Sequence, residues 1–394
     1  MQEIKNQITD IIRITTGPEH YFFGYYDLRA WDITDNYHLC NRVKFADRLP
    51  EKEDVAELGM VSLNGEFRSI GETSSWNFQQ GAVLQWNPGA PGDEVIYNVR
   101  HGDEYKCIVK NLRSGAEKIL EKPLANVDPT GRYGLSINFD RMFDFRPGYG
   151  YAGRTDLFLN DNAPKEDGIF LVDMQNGKSK LIISIEEICE MLNKNNSPVG
   201  KGKVLINHIN FNTSGTRFVF LARNFPSGGN TWGTAVMTAN YDGSELYLLS
   251  DHTYASHYHW KDSEDLLIHA NNTQGAQLYI FKDKTQEVQV VNADYFLKDG
   301  HCSYSPDRQW ILYDSYPDSE GYRHLYLYNV AQNKGLTLAS LYSPEVITTD
   351  IRCDLHPRWN NAGTAISFDS THENHRYIYT ANLADVMRKY FNIC

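Results

Sequence analysis

The sequence lacks the cysteine patterns of disulfide-rich and zinc-finger proteins. Its six cysteines are scattered over 394 residues, and no two of them form a CxxC pair. This usage fits a reducing compartment. The N-terminal stretch MQEIKNQITDIIRITTG has no apolar run of signal-peptide length, and no segment reaches transmembrane length. We therefore expect a cytoplasmic protein with no membrane partner, although a chain trimmed of its signal would look the same.

Positive charge is also scarce. The chain has 38 Lys and Arg against 50 Asp and Glu, which gives a net charge of −12. Such a balance argues against a nucleic-acid partner or an anionic membrane surface. An anionic substrate would need a local basic or metal site to overcome this charge.

Several enzyme motifs are missing. The chain has no GxSxG, so it lacks the nucleophile of a prolyl-oligopeptidase-type hydrolase. It has neither the phosphate-binding GxxxxGK[ST] nor the zinc-binding HExxH. The regular WD40 dipeptide pattern is also missing.

The chain does contain an internal sequence repeat. The pattern His-x-x-aromatic occurs as HINF at 208, HYHW at 257, HCSY at 301 and HPRW at 356, at intervals of 49, 44 and 55 residues. A polar turn and then alternating apolar runs follow each copy. The aromatic share of 13% favours β-sheet. Three earlier segments, LRAW at 28, VLQW at 83 and LANV at 124, fit the same frame without the histidine.

Seven units of four short strands predict an all-β fold, a seven-bladed β-propeller with four-stranded antiparallel blades. We expect one domain over 1–394, with an insertion around 145–200 that carries FRPGYGYAG and a short helix at SIEEICEMLNKN. The last unit lacks a fourth strand, and DIIRITTG at 10–17 is expected to supply it and close the ring. Two separate β domains would need a linker, and no Pro/Ser-rich linker is present.

The repeat register brings distant histidines together. In a propeller the first strand of each blade lines the central channel, so His208, His257, His301 and His356 are expected at one mouth. Imidazole and carboxylate groups that converge there suit Zn²⁺ or Mn²⁺, which makes His301, Asp354 and His356 candidate metal ligands. Alternatively, each histidine bonds only to the backbone of a neighbouring blade. Cys302 and Cys353 are readily explained as small buried residues.

Arginines at the ends of second strands form another pattern. Arg223 ends that strand in the His208 blade, and Arg100 has the same register with His101 beside it. Arginine is a natural bidentate partner of a carboxylate, although both could be solvated strand ends.

Further candidates for substrate binding lie beside the predicted channel strands. Arg352 precedes the last histidine of the repeat, and His259 follows His257 on the same strand. Tyr26 belongs to the aromatic stretch HYFFGYYDLRAW, from which Tyr25 and Asp27 also enter the channel.

These units resemble the TolB-like propellers, and most of all oligogalacturonate lyase and the propeller-type ulvan lyases. The motif DLHPRW followed by FDST and HRYIY carries the resemblance, which is good over the last four units and loose over the first three. It implies a divalent metal at the channel mouth. His301 and His356 match histidine ligands, Asp354 stands where another histidine ligand would be, and Ile351 lies near the place of a glutamine ligand.

The resemblance also implies a catalytic pair. Arg223 and His257 fall where an arginine and a histidine carry the reaction in oligogalacturonate lyase. His208 with Arg223 matches the ulvan-lyase arrangement, with histidine in place of tyrosine. The implied activity is β-elimination on an anionic, uronate-containing oligosaccharide or polysaccharide.

Two other functions stay open at this point. One is a non-catalytic propeller that binds a glycan or a protein. The other is a glycoside hydrolase, which needs two carboxylates, with Asp27, Asp314 and Asp369 as candidates. Asp314 and Asp369 occupy equivalent repeat positions, which favours a structural role for both.

Overall fold

The structure, a computed structural model, describes residues 3–225 and 231–392. Its strands form seven antiparallel sheets, which are the blades of a seven-bladed β-propeller. The predicted fold class and its four-stranded blades are therefore confirmed. Blades are numbered here by the order in which their first strands occur in the chain.

The first three blades come from the half of the chain without the aligned histidines. Blade 1 contains His20–Phe22, Tyr37–Val43, Ala56–Ser62 and Phe67–Thr73. Blade 2 contains Gln85–Trp86, Glu94–His101, Glu104–Asn111 and Glu117–Leu120. Blade 3 contains Asn126–Val127, Tyr133–Ser136, Gly168–Asp173 and Ser179–Ser184.

The last four blades each begin near one of the aligned histidines. Blade 4 contains Val204–Phe211, Arg217–Asn224, Thr234–Asn240 and Tyr247–Ser250. Blade 5 contains Ala255–Trp260, Asp265–Asn272, Gly275–Lys282 and Val288–Val290. Blade 6 contains Cys302–Tyr304, Trp310–Asp314, Tyr322–Asn329 and Lys334–Tyr342. Blade 7 contains Arg358–Trp359, Ala365–Ser370 and Tyr377–Asn382.

The N-terminal segment closes the ring, as the sequence predicts. Ile11–Arg13 pairs with Tyr377–Asn382 and gives blade 7 its fourth strand. The sequence did not predict a second closure. Ile4–Lys5 pairs with Lys334–Tyr342 and adds a fifth strand to blade 6. Two adjacent N-terminal strands therefore tie the last two blades together and cover their outer edges.

The inner strand of blade 1 differs from the expectation. The segment LRAW does not form a continuous channel strand, because the strand ends at Phe22 and Trp31 makes only an isolated bridge to His38. Between them Tyr25 and Tyr26 cross the channel, where both side chains are buried.

The segment 145–200, which was expected to be one insertion, contains two strands of blade 3. Gly168–Asp173 and Ser179–Ser184 within it belong to blade 3. The predicted helix is present as Ile185–Lys194, and a capping box between Ser184 and Glu187 starts it. The extra structure between strands two and three of blade 3 includes the helix Phe139–Phe145 and the 3₁₀ turn Pro147–Tyr149.

The remaining helical elements are short. They are the C-terminal helix Ala384–Phe391 and the 3₁₀ turns Pro198–Gly200 and Thr349–Ile351. No helix in residues 3–225 and 231–392 is long and apolar enough to span a membrane.

A repeated hydrogen bond joins neighbouring blades, and we call it the inter-blade joint. The fifth residue of the second strand is a buried polar residue in blades 1, 2, 6 and 7, and its side-chain oxygen accepts a backbone N–H near the first strand of the next blade. The pairs are Asn41 with Ala82 at 3.4 Å, Asn98 with Leu124 at 2.8 Å, Asp314 with His356 at 3.1 Å and Asp369 with Phe23 at 3.1 Å. This joint gives Asp314 and Asp369 the structural role that their equivalent repeat positions suggest.

Candidate active site at one mouth of the channel

The four aligned histidines meet at one mouth of the channel. The ring centroids of His257 and His301 are 3.8 Å apart, and those of His301 and His356 are 4.3 Å apart. Tyr25 links them to His208, since its ring stacks on His208 at 4.8 Å and lies 4.9 Å from His356. All four imidazoles are buried. The repeat register therefore converts residues far apart in sequence into one cluster.

Two of these histidines have a backbone conformation that is uncommon for residues other than glycine. His208 and His356 have positive φ angles of 50° and 43°, and the strand register shifts around His208. Positive φ is uncommon for residues other than glycine and can mark functional strain. Val83 has the same repeat register in blade 2, carries no functional group, and has φ of 55°. The positive φ at this register therefore belongs to the propeller backbone and does not require a histidine.

Two histidines and one carboxylate are arranged as metal ligands would be. The Nε2 atoms of His301 and His356 are 3.2 Å apart, and Asp354 Oδ2 lies 4.0 Å from His356 Nε2. One ligand atom from each of the three residues falls within 4.8 Å of the others. Two nitrogens bound to one tetrahedral Zn²⁺ at about 2.0–2.1 Å would be about 3.3–3.4 Å apart. The donor set therefore fits a divalent cation.

Asp314 fixes the orientation of His301. Its carboxylate lies 2.9 and 3.0 Å from His301 Nδ1 and also accepts the His301 backbone N–H at 2.7 Å. Because a carboxylate only accepts, Nδ1 carries a hydrogen, and Nε2 is the ring nitrogen that faces His356. A carboxylate behind a histidine is the usual support of a metal-binding imidazole.

Asp354 is held by two arginines. Arg323 Nη1 lies 2.7 Å from Oδ1, and Arg352 Nε lies 2.7 Å from Oδ2. Burial alone would raise the pKa of Asp354, but Arg352 and Arg323 hold that pKa well below its usual range. The carboxylate is therefore ionised and only partly available to a cation. Ile351 offers no polar side chain in place of the glutamine that the resemblance implies.

The neighbouring thiols take no part in the cluster. Burial raises the pKa of Cys302 well above its usual value and the pKa of Cys353 to about 11. Their sulfur atoms lie 3.7 Å from the His257 carbonyl and 3.9 Å from the Asp354 carbonyl. Both are small buried residues, in line with the simpler interpretation of the sequence.

A second buried carboxylate supports His257. His257 Nδ1 lies 3.0 Å from Asp299 Oδ1, and His269 Nδ1 lies 3.5 Å from the same oxygen. Burial lowers the pKa of His257 although Asp299 opposes the shift. The imidazole is therefore neutral at neutral pH, with its hydrogen on Nδ1 and a lone pair on Nε2. Sequence analysis missed Asp299 because it precedes the repeat motif HCSY in an irregular loop.

Arg223 and His208 carry buried polar atoms without partners. Arg223 donates one hydrogen bond, from Nη2 to the Ala255 carbonyl at 3.3 Å, while its Nε and the Nδ1 of His208 have no partner among the described residues. Burial, assisted by Arg146, lowers the pKa of Arg223 to about 10. Burial and the Arg223 charge likewise lower the pKa of His208 well below its usual value. Unsatisfied buried groups are costly, and here they mark a place for a ligand.

An open cavity of about 560 Å³ borders the cluster through Arg323 and Arg352, the two arginines that hold Asp354. Arg146, Arg323 and Arg352 line it together with Tyr316 and Trp232. The Tyr316 ring lies 6.1 Å from that of His257 and 6.2 Å from that of His301, so it borders both the cavity and the cluster. The volume is in the usual range for a small-ligand site.

Tyr149 connects this cavity to the insertion. Its hydroxyl accepts a hydrogen bond from Arg352 Nη2 at 3.0 Å, and the Arg146 guanidinium lies 4.4 Å from its ring centre. The FRPGYGY loop, which the sequence placed beside the channel, thus positions two of the three arginines.

Several predicted binding residues lie elsewhere. Arg100 donates to the carbonyls of Ala152 and Gly153, and His101 is exposed at the tip of its hairpin. No described contact joins either residue to the histidine cluster. The shared register with Arg223 fails here because the extra segment in blade 3 folds against Arg100.

Tyr26 and His259 also differ from the expectation. The Tyr26 ring lies 5.2 Å from that of His301, but its hydroxyl donates to the Tyr258 carbonyl at 2.7 Å and accepts from the Tyr258 N–H at 3.0 Å. The buried Tyr26 side chain therefore fills space in the channel. His259 lines a separate cavity of about 270 Å³ with Asp27 and Trp260. Two residues along an extended strand carry it about 6–7 Å away from His257.

The aspartates considered for glycoside hydrolysis do not form a free pair. Asp314 and Asp369 are engaged in inter-blade joints, and Asp369 also lies 2.7 Å from Arg358 Nη2. Asp27 accepts from Asn210 at 2.6 Å and lines the His259 cavity. The geometry at the histidine mouth favours histidine and arginine chemistry.

Comparison with known proteins supports the fold. Neither a family model nor a curated protein sequence matches the chain. Among solved structures, an oligogalacturonate lyase in complex with manganese superposes with a TM-score of 0.70 at 13% identity, over 98% of this chain and 96% of that one. The oligogalacturonate lyase from Vibrio parahaemolyticus gives 0.67 at 11% identity, over 97% and 96% of the two chains.

A more distant likeness helps to define the limits of this comparison. The β-propeller domain of the Trilobed protease from Pyrococcus furiosus gives a TM-score of 0.53 at 10% identity, over 96% of this chain and 100% of that one. Identities this low show a shared fold. The resemblance to oligogalacturonate lyase predicted from DLHPRW is confirmed at that level.

Proposed function

We propose that the protein is a lyase that cleaves a uronate-containing glycan by β-elimination at the histidine mouth of the channel. The observation that carries the proposal is the buried, partly unpaired Arg223 in a cluster with two neutral histidines, close to Arg146 and to the cavity that Arg146 lines with two more arginines. In a chain of net charge −12, this concentration of guanidinium groups supports an anionic ligand.

Carboxylate recognition is the first requirement of the reaction. A uronate C5 proton becomes acidic when the charge that develops on the C6 carboxylate is stabilised. Arg223 can donate from Nε, which has no partner among the described residues. Its burial strengthens that interaction, because water does not screen it.

Proton transfer is the second requirement. His257 is a suitable base, since Asp299 holds its Nδ1–H and leaves Nε2 to take the C5 proton. The electron pair of the C5–H bond then forms the C4–C5 double bond, and the C4–O4 bond breaks with its pair on O4. The Tyr25 hydroxyl, 3.3 Å from His208 Nε2, can return a proton to O4.

A divalent cation could assist the same step. His301, His356 and Asp354 would hold it, and Mn²⁺ or Zn²⁺ would supply Lewis-acid stabilisation of the carboxylate when bound. The two proton transfers use His257 and Tyr25, which are separate from these three residues.

The test is turnover on a panel of uronic glycans, followed by absorbance of the unsaturated product. We expect wild-type protein to produce it and His257→Ala to lose about 10²–10⁴-fold in rate. His101→Ala, an exposed histidine in blade 2, is the matched control and should retain the wild-type rate. Absence of product with every glycan would overturn the proposal, and retained glycan binding in that case would favour a non-catalytic propeller.

A further inference from the structure

A second cavity adjoins the arginine-lined cavity beside the histidine cluster. Tyr316 and Asp318 line both the arginine-rich cavity and a smaller cavity of about 150 Å³. The smaller one is lined mainly by blade 6 and by the loop that precedes it. We call it the aromatic subsite, and its further lining includes Tyr295, Leu297, His324 and Tyr326.

The walls of the aromatic subsite suit a sugar ring. Tyr295 and Tyr326 are only partly buried, and their rings are 5.9 Å apart. Leu297 at the rim is 74% exposed, which is unusual for a leucine next to a cavity. The apolar face of a pyranose packs on aromatic and aliphatic surfaces of this kind, while its hydroxyls need nearby polar partners such as Ser315 and the Asp318 carboxylate.

The charge of the aromatic subsite differs from that of its neighbour. Three arginines line the first cavity together with the carboxylates of Asp318 and Glu345, whereas among the described residues no arginine lines the second. The second cavity has Lys298 at its edge and the Asp318 carboxylate in its wall. Asp318 accepts from His324 Nε2 at 3.0 Å and from the backbone N–H of Tyr322 and Glu320 at 3.0 and 2.8 Å. Burial would raise the pKa of Asp318, but these hydrogen bonds keep that pKa below its usual value.

We propose that the aromatic subsite binds the sugar next to the uronate, and that this sugar is uncharged. The inference rests on the proposed lyase function and narrows its substrate class. A second uronate would place its carboxylate beside ionised Asp318, with only the exposed, water-screened Lys298 as a nearby cation and no described arginine to receive it. The substrate is therefore a glycan in which uronates alternate with neutral sugars, and a run of uronates is a poor substrate.

The experiment compares two tetrasaccharides that both contain 4-substituted uronates. One is tetragalacturonate, and the other is a heparosan tetrasaccharide in which glucuronate alternates with N-acetylglucosamine. We expect wild-type kcat/KM to be at least about tenfold higher on the alternating chain, the size of one unpaired like-charge contact. Asp318→Asn keeps the shape of the wall and removes the charge, so it should reduce this ratio about fivefold by improving tetragalacturonate.

Leu297→Ser tests the apolar wall. It should raise KM for the alternating tetrasaccharide about threefold to tenfold with little change in kcat, because it removes contact area from bound substrate. Leu157→Ser, a leucine that is 82% exposed outside both cavities, is the matched control and should change neither constant. An Asp318→Asn ratio equal to that of wild type would overturn the inference, as would a wild-type preference for tetragalacturonate.

The outcome separates this inference from the proposed activity. If neither tetrasaccharide yields unsaturated product, the lyase proposal fails, and calorimetric Kd values for the same two tetrasaccharides with wild type and Asp318→Asn take the place of kcat/KM. A Kd ratio that favours the alternating chain and falls in Asp318→Asn then supports the subsite. Equal Kd ratios overturn it.

Discussion

Blades 2 and 6 differ at the fifth residue of the second strand, which forms the inter-blade joint in both. In blade 2, Asn98 accepts the Leu124 N–H and donates to the Leu124 carbonyl and the Tyr151 hydroxyl, each at 2.8 Å. Every polar atom of its amide is used in joining blades. In blade 6, Asp314 accepts the His356 N–H and still has lone pairs for the imidazole of His301. A carboxylate in place of an amide, with a histidine beside it, turns a structural joint into the support of a reactive cluster.

Arginines at the ends of second strands extend this comparison and give the largest expected effect. Arg223 in blade 4 is buried with Nε unpaired among the described residues, whereas Arg100 in blade 2 is bound to the carbonyls of Ala152 and Gly153. We expect Arg223→Ala to lower kcat/KM on a cleavable uronic glycan about 10²–10³-fold, as loss of a buried carboxylate-stabilising donor does.

Arg100→Ala is the matched substitution in blade 2. It should change kcat/KM less than about threefold and lower the Tm, because its partners are backbone carbonyls. Steady-state kinetics with calorimetric unfolding of both variants measures the two effects. Equal losses of activity would contradict the assignment of the active mouth to the histidine half of the ring.

Substitution of Asn98, the joint residue of blade 2, should destabilise the folded protein. Asn98→Asp removes both amide donors and faces a buried carboxylate toward the Leu124 carbonyl. We expect the free energy of unfolding to fall by about 2–3 kcal/mol, the usual cost of unsatisfied buried polar groups. Denaturant titration checks this, with Asn111→Asp as the control, since the Asn111 side-chain oxygen accepts hydrogen bonds at a partly buried strand end. A decrease below about 0.5 kcal/mol would show that the joint is not required.

The propeller architecture could be predicted because each blade corresponds to one unit of the sequence repeat. Each blade needs a turn and alternating strands at a regular interval, so both the number of blades and the closing strand Ile11–Arg13 could be predicted. The convergence of the four histidines follows from the same register. Periodicity gives no information about residues on irregular loops, such as Arg146, Asp299 and Tyr316. It also failed for Arg100, whose neighbours come from a segment that no other blade has.

In blade 6 the opposite substitution, of aspartate by asparagine, should weaken metal binding and leave the stability of the fold largely unchanged. Asp314→Asn preserves an acceptor for the His356 N–H, as Asn41 and Asn98 do in their joints, but it weakens the support of His301. We expect affinity for Mn²⁺ or Zn²⁺ to fall about 10–100-fold, as after loss of other carboxylates behind metal-binding histidines. Metal titration measures it. Asp369→Asn, a joint that pairs with Arg358 instead of a histidine, should leave the affinity unchanged.

Protonation of His259, outside the histidine cluster, should destabilise the fold in acid, and this is the smallest expected effect. Burial, with a contribution from Arg308, lowers the pKa of His259 to about 3, from an unfolded value near 6.5. The unfolded chain therefore takes up the proton first as the pH falls. The stability contribution is complete above pH 6.5 and is lost progressively toward pH 3.

A neutral replacement isolates that contribution. Since His259 lies outside the histidine cluster, His259→Gln should reduce the loss of stability between pH 6.5 and pH 5 by roughly 1 kcal/mol without changing kcat/KM at neutral pH. Part of the acid sensitivity should remain, because burial also lowers the pKa of His20 and of His372 to about 4. Thermal unfolding across this pH range is the measurement. A variant with the wild-type pH slope would show that His259 is protonated alike in the folded and unfolded states, and a variant with reduced activity would place His259 in the catalytic mouth after all.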